Sequence, residues 1–471
     1  MKVLLLAPPG LERLEICQSI GVRAPPLGLA YIASILEHNG YKVKIIDSPT
    51  LDFDLRRVIL EIKMFKPDIV GLTALTPTIY NAYEIAKYIK AIDKEVPIVV
   101  GGPHVTFMYK EVLSESVNID ITVIGEGEYT FLELLNVIGK HGLNPNLLKS
   151  VKGIAFRDNG KIYFTGYRRL IANLDSLPPP ARHLLPMDRY TVFDKPVRVV
   201  HVIASRGCPY GCIYCSTSYF MGRLYRIRSV NSVLDEIEDV VYRYRVKNIV
   251  FVDDELTIIR KWMIDFLNGL KERRLDICFT CGSRVDHVDR ELISRMYSQG
   301  CSIIYFGVES ANQKTLDQIG KKITVQQIIN AFKLVREVKG ESAGSFILGL
   351  PWETIEDMRR TIAFASKLNP SYAQFTVATP YPGTPLYMLA LKDNLIEDKN
   401  WSHYTTLIPV IRGYSFTREQ VSKLLVQAYI LFYFSPNRLF KEMESRRFKL
   451  ITEMVMRILK PRHLQILKST L

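Results

Sequence analysis

The stretch VRVVHVIASRGCPYGCIYCST, residues 197–217, joins an apolar β-strand to a loop that holds three cysteines. Its first nine residues are rich in valine and isoleucine, which is typical of a buried strand. The loop then spaces Cys208, Cys212 and Cys215 as C-x3-C-x2-C, beside a proline, two glycines and two tyrosines. The whole chain has only 7 cysteines. Three of them in so short a loop indicate a site rather than ordinary packing.

Strand and helix patterns alternate from this stretch to about residue 390. Helical segments such as SVLDEIEDVVYRYR and TVQQIINAFKLVREV lie between the strands. Six strands with helical crossovers predict a partial (β/α)6 barrel over residues 196–390, and barrel enzymes keep their chemistry at the carboxyl ends of the strands. The predicted strands are VRVVHVIAS, NIVFVDDEL, CFTCGSRV, IIYFGVES, AGSFILGLP and YAQFTVATPYPGTP.

Residues 1–145 show a second alternating series, with strands KVLLLAP, YKVKIID, DIVGLTAL, PIVVGGPH and ITVIGEG. Short apolar strands separated by amphipathic helices predict a doubly wound, flavodoxin-like α/β domain with its ligand site at the carboxyl edge of the sheet. The loops at that edge read APPG, ALTPT, GGPHVT and GEGEYT. Any one of them could be ordinary turn chemistry, but four on one edge favour a bound ligand.

Two further regions complete the predicted organisation. Residues 146–195 are expected to be a connector, with a hairpin around DNG and an irregular segment DSLPPPARHLLP. Residues 391–471 carry amphipathic helical patterns and predict a C-terminal helical region.

The composition limits the class of protein. The chain has 471 residues, of which 48% are hydrophobic and 23% charged, as in a globular protein of two or three domains. No apolar run reaches the ~18 residues of a membrane span. The odd number of cysteines fits a reducing compartment, so a cytoplasmic protein is expected. The net charge of +14 fits an anionic partner, but without a dense Lys/Arg run it does not favour nucleic acid.

Three thiolates suit a soft metal or an iron–sulfur cluster and leave one metal position open. The alternative is a structural zinc site, which needs a fourth ligand. Cys278 and Cys281 offer a second C-x2-C pair, but they fall in a predicted strand, where residues three apart point to opposite faces. Both are therefore expected to be core residues.

The cysteine motif, with Tyr214 before its last cysteine, resembles the signature of the radical SAM superfamily. The resemblance implies that Cys208, Cys212 and Cys215 bind three irons of a 4Fe–4S cluster. The fourth iron would take the amino and carboxylate groups of S-adenosylmethionine, with Tyr214 near the adenine. An electron from the cluster would then yield a 5′-deoxyadenosyl radical that abstracts hydrogen. The resemblance covers roughly residues 197–390.

The same resemblance implies S-adenosylmethionine contacts at the ends of later strands. Asp254 and Glu255 in FVDDELT are candidates for its amino group, although helix capping explains Asp254 equally well. Arg284 in GSRVD suits a carboxylate. Glu309 and Ser310 in GVES fall where the family binds the ribose or the methionine end. A buried Glu309 would be costly alone, so it is expected to have a partner.

Three segments of the first 145 residues closely resemble the cobalamin-binding domain that precedes many radical SAM barrels: PPLGLAYIASILEHNGYKVKIID, GGPHVT and IGEGEYTFLELL. The connector LPPPARHLLP matches that class as well. The resemblance implies cobalamin at the strand ends. The candidate contacts are Pro9, Thr73, Thr76, Gly101, Gly102, His104, Gly125, Glu126 and Gly127.

The sequence departs from methionine-synthase-type domains, which place a histidine on cobalt with the motif D-x-H-x-x-G. That motif is absent here. His38, late on a predicted helix, is expected at the surface, and His104 is expected to contact a phosphate or a corrin side chain. Cobalamin is therefore expected to bind base-off, without a histidine as lower ligand.

These resemblances imply a cobalamin-dependent radical SAM methyltransferase that acts on an unactivated carbon. Radical cyclisation, carbon–carbon coupling or oxidation with the same cofactors is the alternative, and a cobalamin-carrying sensor with a relict barrel is a third. The basic, aromatic segment YILFYFSPNRLFKEMESRRFKL suggests a hydrophobic or lipid-like substrate and peripheral membrane contact, or simply a helical cap on the barrel. A reductant such as ferredoxin or flavodoxin is the expected protein partner.

Overall fold

The computed structural model describes residues 1–10, 22–192, 195–196, 199–436 and 438. These residues fall into two compact units. Residues 1–10, 23–190 and 219–222 form the first unit, and most of the remaining residues form the second. No helix among the described residues combines the length and the apolar character that crossing a bilayer requires.

The first unit is built on a sheet of seven strands. The strands are β1 (Lys2–Ala7), β2 (Lys42–Asp47), β3 (Ile69–Thr73), β4 (Ile98–Gly101), β5 (Ile121–Val123), β6 (Ile154–Asp158) and β7 (Lys161–Phe164). The helices are α1 (Leu27–His38), α2 (Ser48–Leu51), α3 (Leu55–Phe65), α4 (Ile79–Ile92), α5 (Pro103–Glu115), α6 (Glu128–His141) and α7 (Pro145–Leu148). Three-residue 3₁₀ turns cover Thr76–Thr78, Leu174–Ser176 and Arg182–Leu184.

The strand order β2-β1-β3-β4-β5-β6-β7 confirms the predicted flavodoxin-like sheet over its first five strands, which pair in parallel. Such strands are covered by helices on both faces, which explains why every residue of β1 after Lys2 is buried. The carboxyl ends of all five strands therefore meet at one edge, as predicted for the ligand site.

The predicted hairpin around DNG is confirmed as β6 and β7, which add to β5 in antiparallel register. Asn159 and Gly160 take φ values of +50° and +77°, as a tight hairpin turn requires. Arg157 on β6 donates to the carbonyl oxygens of Leu113 at 2.6 Å and Val117 at 3.0 Å, at and just beyond the end of α5. The hairpin is thus tied into the first unit by main-chain pairing and by the partly buried Arg157 guanidinium.

Helix α5 was not expected from the sequence, where GGPHVT reads as a loop. It begins at Pro103, a residue that suits the first turn of a helix because it needs no donor there. The helix is irregular at Met108, where φ is −120° and ψ is 29°. A helix start directly after a glycine pair places those backbone donors at the carboxyl edge.

The second unit contains the predicted barrel sheet. Its strands are β10 (Val199–Val202), β13 (Asn248–Phe251), β14 (Cys278–Ser283), β15 (Cys301–Glu309), β16 (Glu341–Leu348) and β17 (Tyr372–Val377), with the short pairs β8 (Thr191–Val192) and β9 (Lys195–Pro196), and β11 (Ser205–Arg206) and β12 (Arg226–Ile227). Its helices are α9 (Val230–Tyr244), α10 (Arg260–Glu272), α11 (Arg290–Ser298), α12 (Gln313–Gln318), α13 (Val325–Glu337), α14 (Ile355–Leu368), α15 (Pro385–Lys392) and α16 (Arg418–Tyr433). Helix α8 (Thr217–Phe220) follows the cysteine loop, and a 3₁₀ turn covers Trp401–His403.

All six long strands pair in parallel in the order β10-β13-β14-β15-β16-β17, which confirms the predicted six-stranded partial barrel. The core between strands and helices includes several aromatic contacts. Phe251, Phe266 and Phe279 meet edge to face at 5.5–6.0 Å between ring centroids, and Phe306 meets Phe332 at 5.3 Å.

The last strand, β17, has a side-chain partner along its outer edge. Tyr429 of α16 donates to the carbonyl oxygen of Phe375 at 3.0 Å and accepts from its amide at 3.1 Å. Tyr433, one turn further on, does the same with Ala373 at 2.8 and 2.9 Å. Two phenol groups therefore replace a neighbouring strand, and the predicted helical pattern over residues 418–434 is confirmed as α16.

The predictions for the two cysteines on β14 have different outcomes. Cys281 is buried, as expected of a core residue, but the prediction for Cys278 was wrong, because its side chain is exposed. The two positions on β14 do point to opposite faces, which excludes a shared metal site. The basic, aromatic C-terminal segment lies mostly outside the described residues.

Candidate functional site

The cysteine loop lies at the carboxyl end of β10 and is fixed by main-chain hydrogen bonds to distant segments. The amide of Ile213 donates to the carbonyl oxygen of Ile319 at 3.0 Å, and the carbonyl of Ile213 accepts from Leu386 at 3.0 Å. Asp253, at the end of β13, accepts from the amides of Ala204 at 3.2 Å and of Ser205. The loop and the residues that lead into it are thereby held by the end of α12, by the first turn of α15 and by the segment that follows β13.

The three thiols of the loop share one environment. Cys212 is buried, and Cys208 and Cys215 are partly buried. Burial raises the pKa of each thiol, that of Cys208 to about 11, and the neighbouring thiols raise those of Cys208 and Cys215 further. The backbone N–H of Tyr210 opposes this rise in the pKa of Cys208. A bound cation would favour all three thiolates, since a metal deprotonates its thiol ligands outright.

These thiols fit a cluster of several irons. Among the described residues, no group of three or more His, Cys, Asp or Glu side chains is arranged to hold one metal ion. Thiolates that share one zinc ion converge to about 2.3 Å from it. Three cysteines that each bind a different iron do not converge on one point. Three soft thiolate donors in one loop suit the iron–sulfur cluster that the motif predicts.

Glu309, at the end of β15, has the partner that the sequence analysis expected. Its side chain accepts from the Lys321 ammonium at 2.6 Å and from Ser345 at 3.3 Å. Lys321 also donates to the Tyr214 hydroxyl at 3.4 Å. Burial and the charge on Glu309 hold the pKa of Tyr214 well above its usual value, while the Lys321 charge opposes the rise that burial causes in the pKa of Cys212. A buried ion pair thus lies beside the cysteine loop.

Glu309 also has an unusual backbone. Its φ of +64° falls in the left-handed region, and the register of β15 against β16 shifts between Gly307 and Glu309. Such conformations in non-glycine residues cost about 1–3 kcal/mol and persist where the surroundings enforce them. The bulge aims the carboxylate at Lys321.

The remaining residues predicted to bind S-adenosylmethionine have different surroundings. Asp254 is exposed and accepts from Thr217 at 2.9 Å. It does not cap a helix, because α10 begins only at Arg260. Ser310 is fully buried and bonds to Thr361 at 3.3 Å.

Glu255 and Arg284 are both engaged within the protein. Glu255 is buried and accepts from Thr257 at 2.6 Å, with His287 at 3.4 Å. Arg284 makes a two-pronged ion pair with Asp286, at 2.9 Å for each bond. Arg284 was expected to bind the carboxylate of a ligand, and in the structure it pairs with the carboxylate of Asp286.

At the carboxyl edge of the first unit, the loops after β3 and β4 are in tight contact. A Cβ on Gly102 would lie 2.6 Å from the Ala74 carbonyl oxygen, and its φ of +107° also requires glycine. His104 is 2% exposed, its Nδ1 lies 3.2 Å from the Thr76 hydroxyl, and burial lowers its pKa to about 4. It is therefore a neutral, buried histidine.

The loop after β5 borders a cavity of about 920 Å³ within the first unit. Gly125 donates its amide to Thr106 at 3.0 Å, and Glu126 accepts from the Ile171 amide at 2.7 Å. The wall combines aromatic and basic side chains with the 167–173 segment: Phe107, Tyr129, Lys152, Arg168 and Arg169. Of the predicted cobalamin contacts, the structure brings Thr76 to His104 and places Gly125 and Glu126 on the cavity. Among the others, Pro9 and Thr73 follow or end their own strands, Gly101 ends β4, and Gly127 is the N-cap of α6.

Sequence reasoning missed several residues of both sites. Lys321 and Asp253 lack a motif of their own, and only the cost of burying Glu309 signalled that some partner exists. His287 carried no signal, because a lone histidine in a polar loop is usually surface. The basic wall of the cavity comes from the connector, whose composition suggested only a linker.

Comparisons with known proteins agree with this architecture. Residues 15–135 match the B12 binding domain family, and residues 202–365 match the Radical SAM superfamily. An uncharacterized methyltransferase of Pyrococcus horikoshii is 43% identical over 94% of both chains. The anaerobic magnesium-protoporphyrin IX monomethyl ester cyclase of Rubrivivax gelatinosus is 33% identical, over 87% of this chain and 74% of the relative.

Two groups of solved structures share the fold. The cobalamin-dependent S-adenosylmethionine radical enzyme OxsB, with aqua-cobalamin and S-adenosylmethionine bound, aligns with a TM-score of 0.74 at 20% identity, over 96% of this chain and 72% of that one. The radical S-adenosylmethionine methyltransferase TsrM of Kitasatospora setae, with cobalamin and a [4Fe-4S] cluster bound, aligns with a TM-score of 0.68 at 18% identity, over 83% and 75%.

Proposed function

The chain belongs to the radical SAM enzymes that carry a B12-binding domain, and from this premise we propose that it transfers a methyl group to an unactivated carbon of a hydrophobic substrate. The observation that carries the proposal is the cysteine loop at the barrel's carboxyl end beside the Lys321–Glu309 pair. The methyltransferase name of the relative that is 43% identical supports the reaction class. When bound, the cluster and S-adenosylmethionine supply one-electron chemistry, and cobalamin carries the methyl group.

Within the barrel, we propose that Cys208, Cys212 and Cys215 each hold one iron. Lys321 and Glu309 would then fix the methionine end of S-adenosylmethionine, since an ammonium and a carboxylate complement its carboxylate and amino groups. Both side chains are already held by hydrogen bonds within the protein. Little conformational entropy is therefore lost when they bind the ligand.

On the first unit, we propose that cobalamin binds at the carboxyl edge, with part of the molecule against the cavity that Gly125 and Glu126 border. Basic and aromatic walls suit the phosphate and the flat apolar surfaces of that cofactor. We also propose base-off binding without a histidine lower ligand. His104 supports this, because it is buried and its Nδ1 is engaged by Thr76.

Transfer of a labelled methyl group tests the reaction. The protein is reconstituted anaerobically with iron, sulfide and cobalamin, then incubated with S-adenosylmethionine labelled in its methyl group and with candidate hydrophobic substrates. A product that carries the label, with 5′-deoxyadenosine formed alongside, is expected. Formation of 5′-deoxyadenosine with a converted but unlabelled product contradicts methyl transfer.

That second outcome would favour ring formation, and the relative named as a cyclase keeps this candidate open. The same name supports a hydrophobic substrate, since that relative is named for magnesium-protoporphyrin IX monomethyl ester. Conversion of tetrapyrrole substrates therefore deserves the first comparison with other apolar molecules.

Matched cysteine variants separate an enzyme from a cobalamin-carrying sensor. Cys208→Ala is expected to lose iron, sulfide and 5′-deoxyadenosine formation, because the cluster loses one of its three ligands. Cys278→Ala, which changes an exposed cysteine on β14, is the control and is expected to keep them. Zinc in place of iron in the anaerobically purified wild-type protein would overturn the assignment.

We further propose weak contact with anionic membranes through the basic C-terminal segment. The net charge of +14 and the arginines and aromatics of residues 429–450 support it. Co-sedimentation with anionic but not neutral liposomes at low salt is expected. Equal recovery in the supernatant with and without anionic liposomes contradicts the proposal.

A further inference from the structure

A chain of hydrogen bonds leads from the cysteine loop into the barrel wall. The Tyr210 hydroxyl lies 2.5 Å from Nε2 of His287, and Nδ1 of His287 lies 3.4 Å from Oε1 of Glu255. A neutral imidazole with its proton on Nδ1 satisfies both contacts, accepting from the tyrosine and donating to the carboxylate. His287 is thus a bridge between a loop residue and a barrel residue.

The barrel end of this bridge is rigid. Glu255 is 2% exposed and accepts from the Thr257 hydroxyl at 2.6 Å. That hydroxyl lies 2.7 Å from the Ser283 hydroxyl at the end of β14. A buried carboxylate with several partners keeps its position, so it can orient the imidazole as a carboxylate orients a metal-bound histidine.

The loop end of the bridge lies between two cluster cysteines. Tyr210 is two residues from both Cys208 and Cys212, so its side chain fixes the loop backbone between these two cysteines. The Arg284 guanidinium lies 3.6 Å from the centre of the Tyr210 ring. Tyr210 is therefore held by His287 at its hydroxyl and by Arg284 at its ring face.

We propose that His287 is a positioning residue for the cluster: by holding Tyr210, it sets the backbone N–H groups between Cys208 and Cys212 for hydrogen bonds to the sulfurs and so tunes the reduction potential of the bound 4Fe–4S cluster. This inference rests on the proposed function, since it needs the cluster in the loop. Hydrogen bonds to the sulfurs are among the factors that set the potential of such clusters. Their loss destabilises the reduced, more negative cluster and shifts the potential downward.

The test compares reconstituted full-length variants by iron and sulfide content, by the electron paramagnetic resonance spectrum of the reduced cluster, and by its midpoint potential. Tyr210→Phe removes only the hydroxyl and keeps the ring under Arg284. His287→Leu removes the bridge, and His287→Gln restores an amide that can accept and donate. We expect Tyr210→Phe and His287→Leu to give the same altered spectrum and a more negative potential, with turnover reduced about 10- to 100-fold.

A double variant and the His287→Gln variant complete the test. Because both single changes break one linkage, the double variant is expected to match either of them, and His287→Gln is expected to recover the wild-type spectrum. A wild-type spectrum and potential in Tyr210→Phe, with full iron content, overturns the inference even if His287→Leu does not fold. Additive shifts in the double variant overturn it as well. Wild-type protein without iron and sulfide refutes the proposed function itself, which is a distinguishable result.

Discussion

The Lys321–Glu309 pair shows how one residue depends on another that is 12 positions away. Glu309 is 4% exposed and its charge is balanced by Lys321 at 2.6 Å. Removing one partner of a buried pair leaves an uncompensated charge, which costs about 3–5 kcal/mol. Replacing both partners by neutral groups costs much less.

Lys321→Met is therefore expected to lower the thermal unfolding midpoint of the metal-free protein clearly, and Lys321→Met/Glu309→Gln is expected to recover most of the loss. Differential scanning calorimetry measures both. A double variant that is no more stable than Lys321→Met would show that the charge on Glu309 is not what Lys321 balances.

Glu353 gives a residue-level prediction of pH dependence. It is 1% exposed, and its Oε2 accepts from the amides of Gly349 at 3.1 Å and Leu350 at 3.0 Å. Burial raises its pKa from 4.5 to about 8. The folded state holds the proton more tightly than the unfolded chain, so this contribution to stability is complete below pH 4.5 and is lost as the pH rises to 8.

Unfolding free energy of the wild-type protein is expected to fall across this window with a slope of at most about 1.4 kcal/mol per pH unit. Glu353→Gln keeps an acceptor for both amides but has no proton to lose, so the Glu353 part of the slope is expected to vanish. Urea unfolding at several pH values measures the difference. Parallel slopes for the two proteins contradict the prediction.

At this scale, the sequence predicts donors and acceptors but not their pairing. The cysteine cluster is visible from its spacing, and the resemblance to the radical SAM signature implies its role as a set of cluster ligands. The partner of Glu309 was expected, yet its identity depends on a turn after α12 that brings Lys321 back to β15. Likewise, Arg284 was expected to bind a ligand carboxylate, and only the structure shows that Asp286 already pairs with it.

Among the elements, the β4–α5 junction is sensitive to a small change. Gly102→Ala would place a Cβ 2.6 Å from the Ala74 carbonyl oxygen at a φ of +107°. The strain and the clash are expected to cost at least about 1–3 kcal/mol and to weaken cobalamin retention after gel filtration. The matched control is Gly40→Ala, where φ is +80° but no atom lies within 4 Å.

The control variant Gly40→Ala is expected to lower the free energy of unfolding by only about 1 kcal/mol, the usual cost of an alanine in the left-handed conformation. Equal losses in both variants would show that backbone conformation alone, without the contact to Ala74, explains the effect. Urea unfolding of the metal-free proteins gives the comparison.

The elements were predicted well where hydrophobic periodicity was strong and poorly where it was not. The six barrel strands and the helices α1, α3, α4 and α6 follow their apolar patterns. Helix α5 was missed because GGPHVT has loop chemistry and because the helix is irregular at Met108. The joining of the DNG hairpin to β5 depends on pairing between distant segments, which a local pattern does not encode.

For the whole molecule, the antiparallel hairpin predicts which fragment can fold. A fragment that ends at residue 145 lacks β6, β7 and Arg157, so the edge of β5 and the end of α5 lose their partners. Residues 1–190 are expected to give a soluble fragment with cooperative unfolding, and residues 1–145 are expected to aggregate. Equal solubility of both fragments contradicts this.

The charge of the chain gives a second prediction at this scale. A net charge of +14 attracts an acidic electron donor, and salt screens that attraction over about 10 Å at 0.1 M. Turnover driven by reduced flavodoxin is expected to fall as salt rises, while turnover driven by dithionite, the control, is expected to change little. The same salt dependence with both reductants would rule out steering of the protein donor.

The tyrosines of α16 have a consequence for self-association. An unpaired strand edge is a template on which another chain can grow a sheet. Here two phenol groups occupy the main-chain positions that a foreign strand would need, at Ala373 and Phe375. Helix α16 therefore blocks the edge of β17 against the addition of a strand. A shortened chain that lacks α16 would expose this edge and is expected to self-associate.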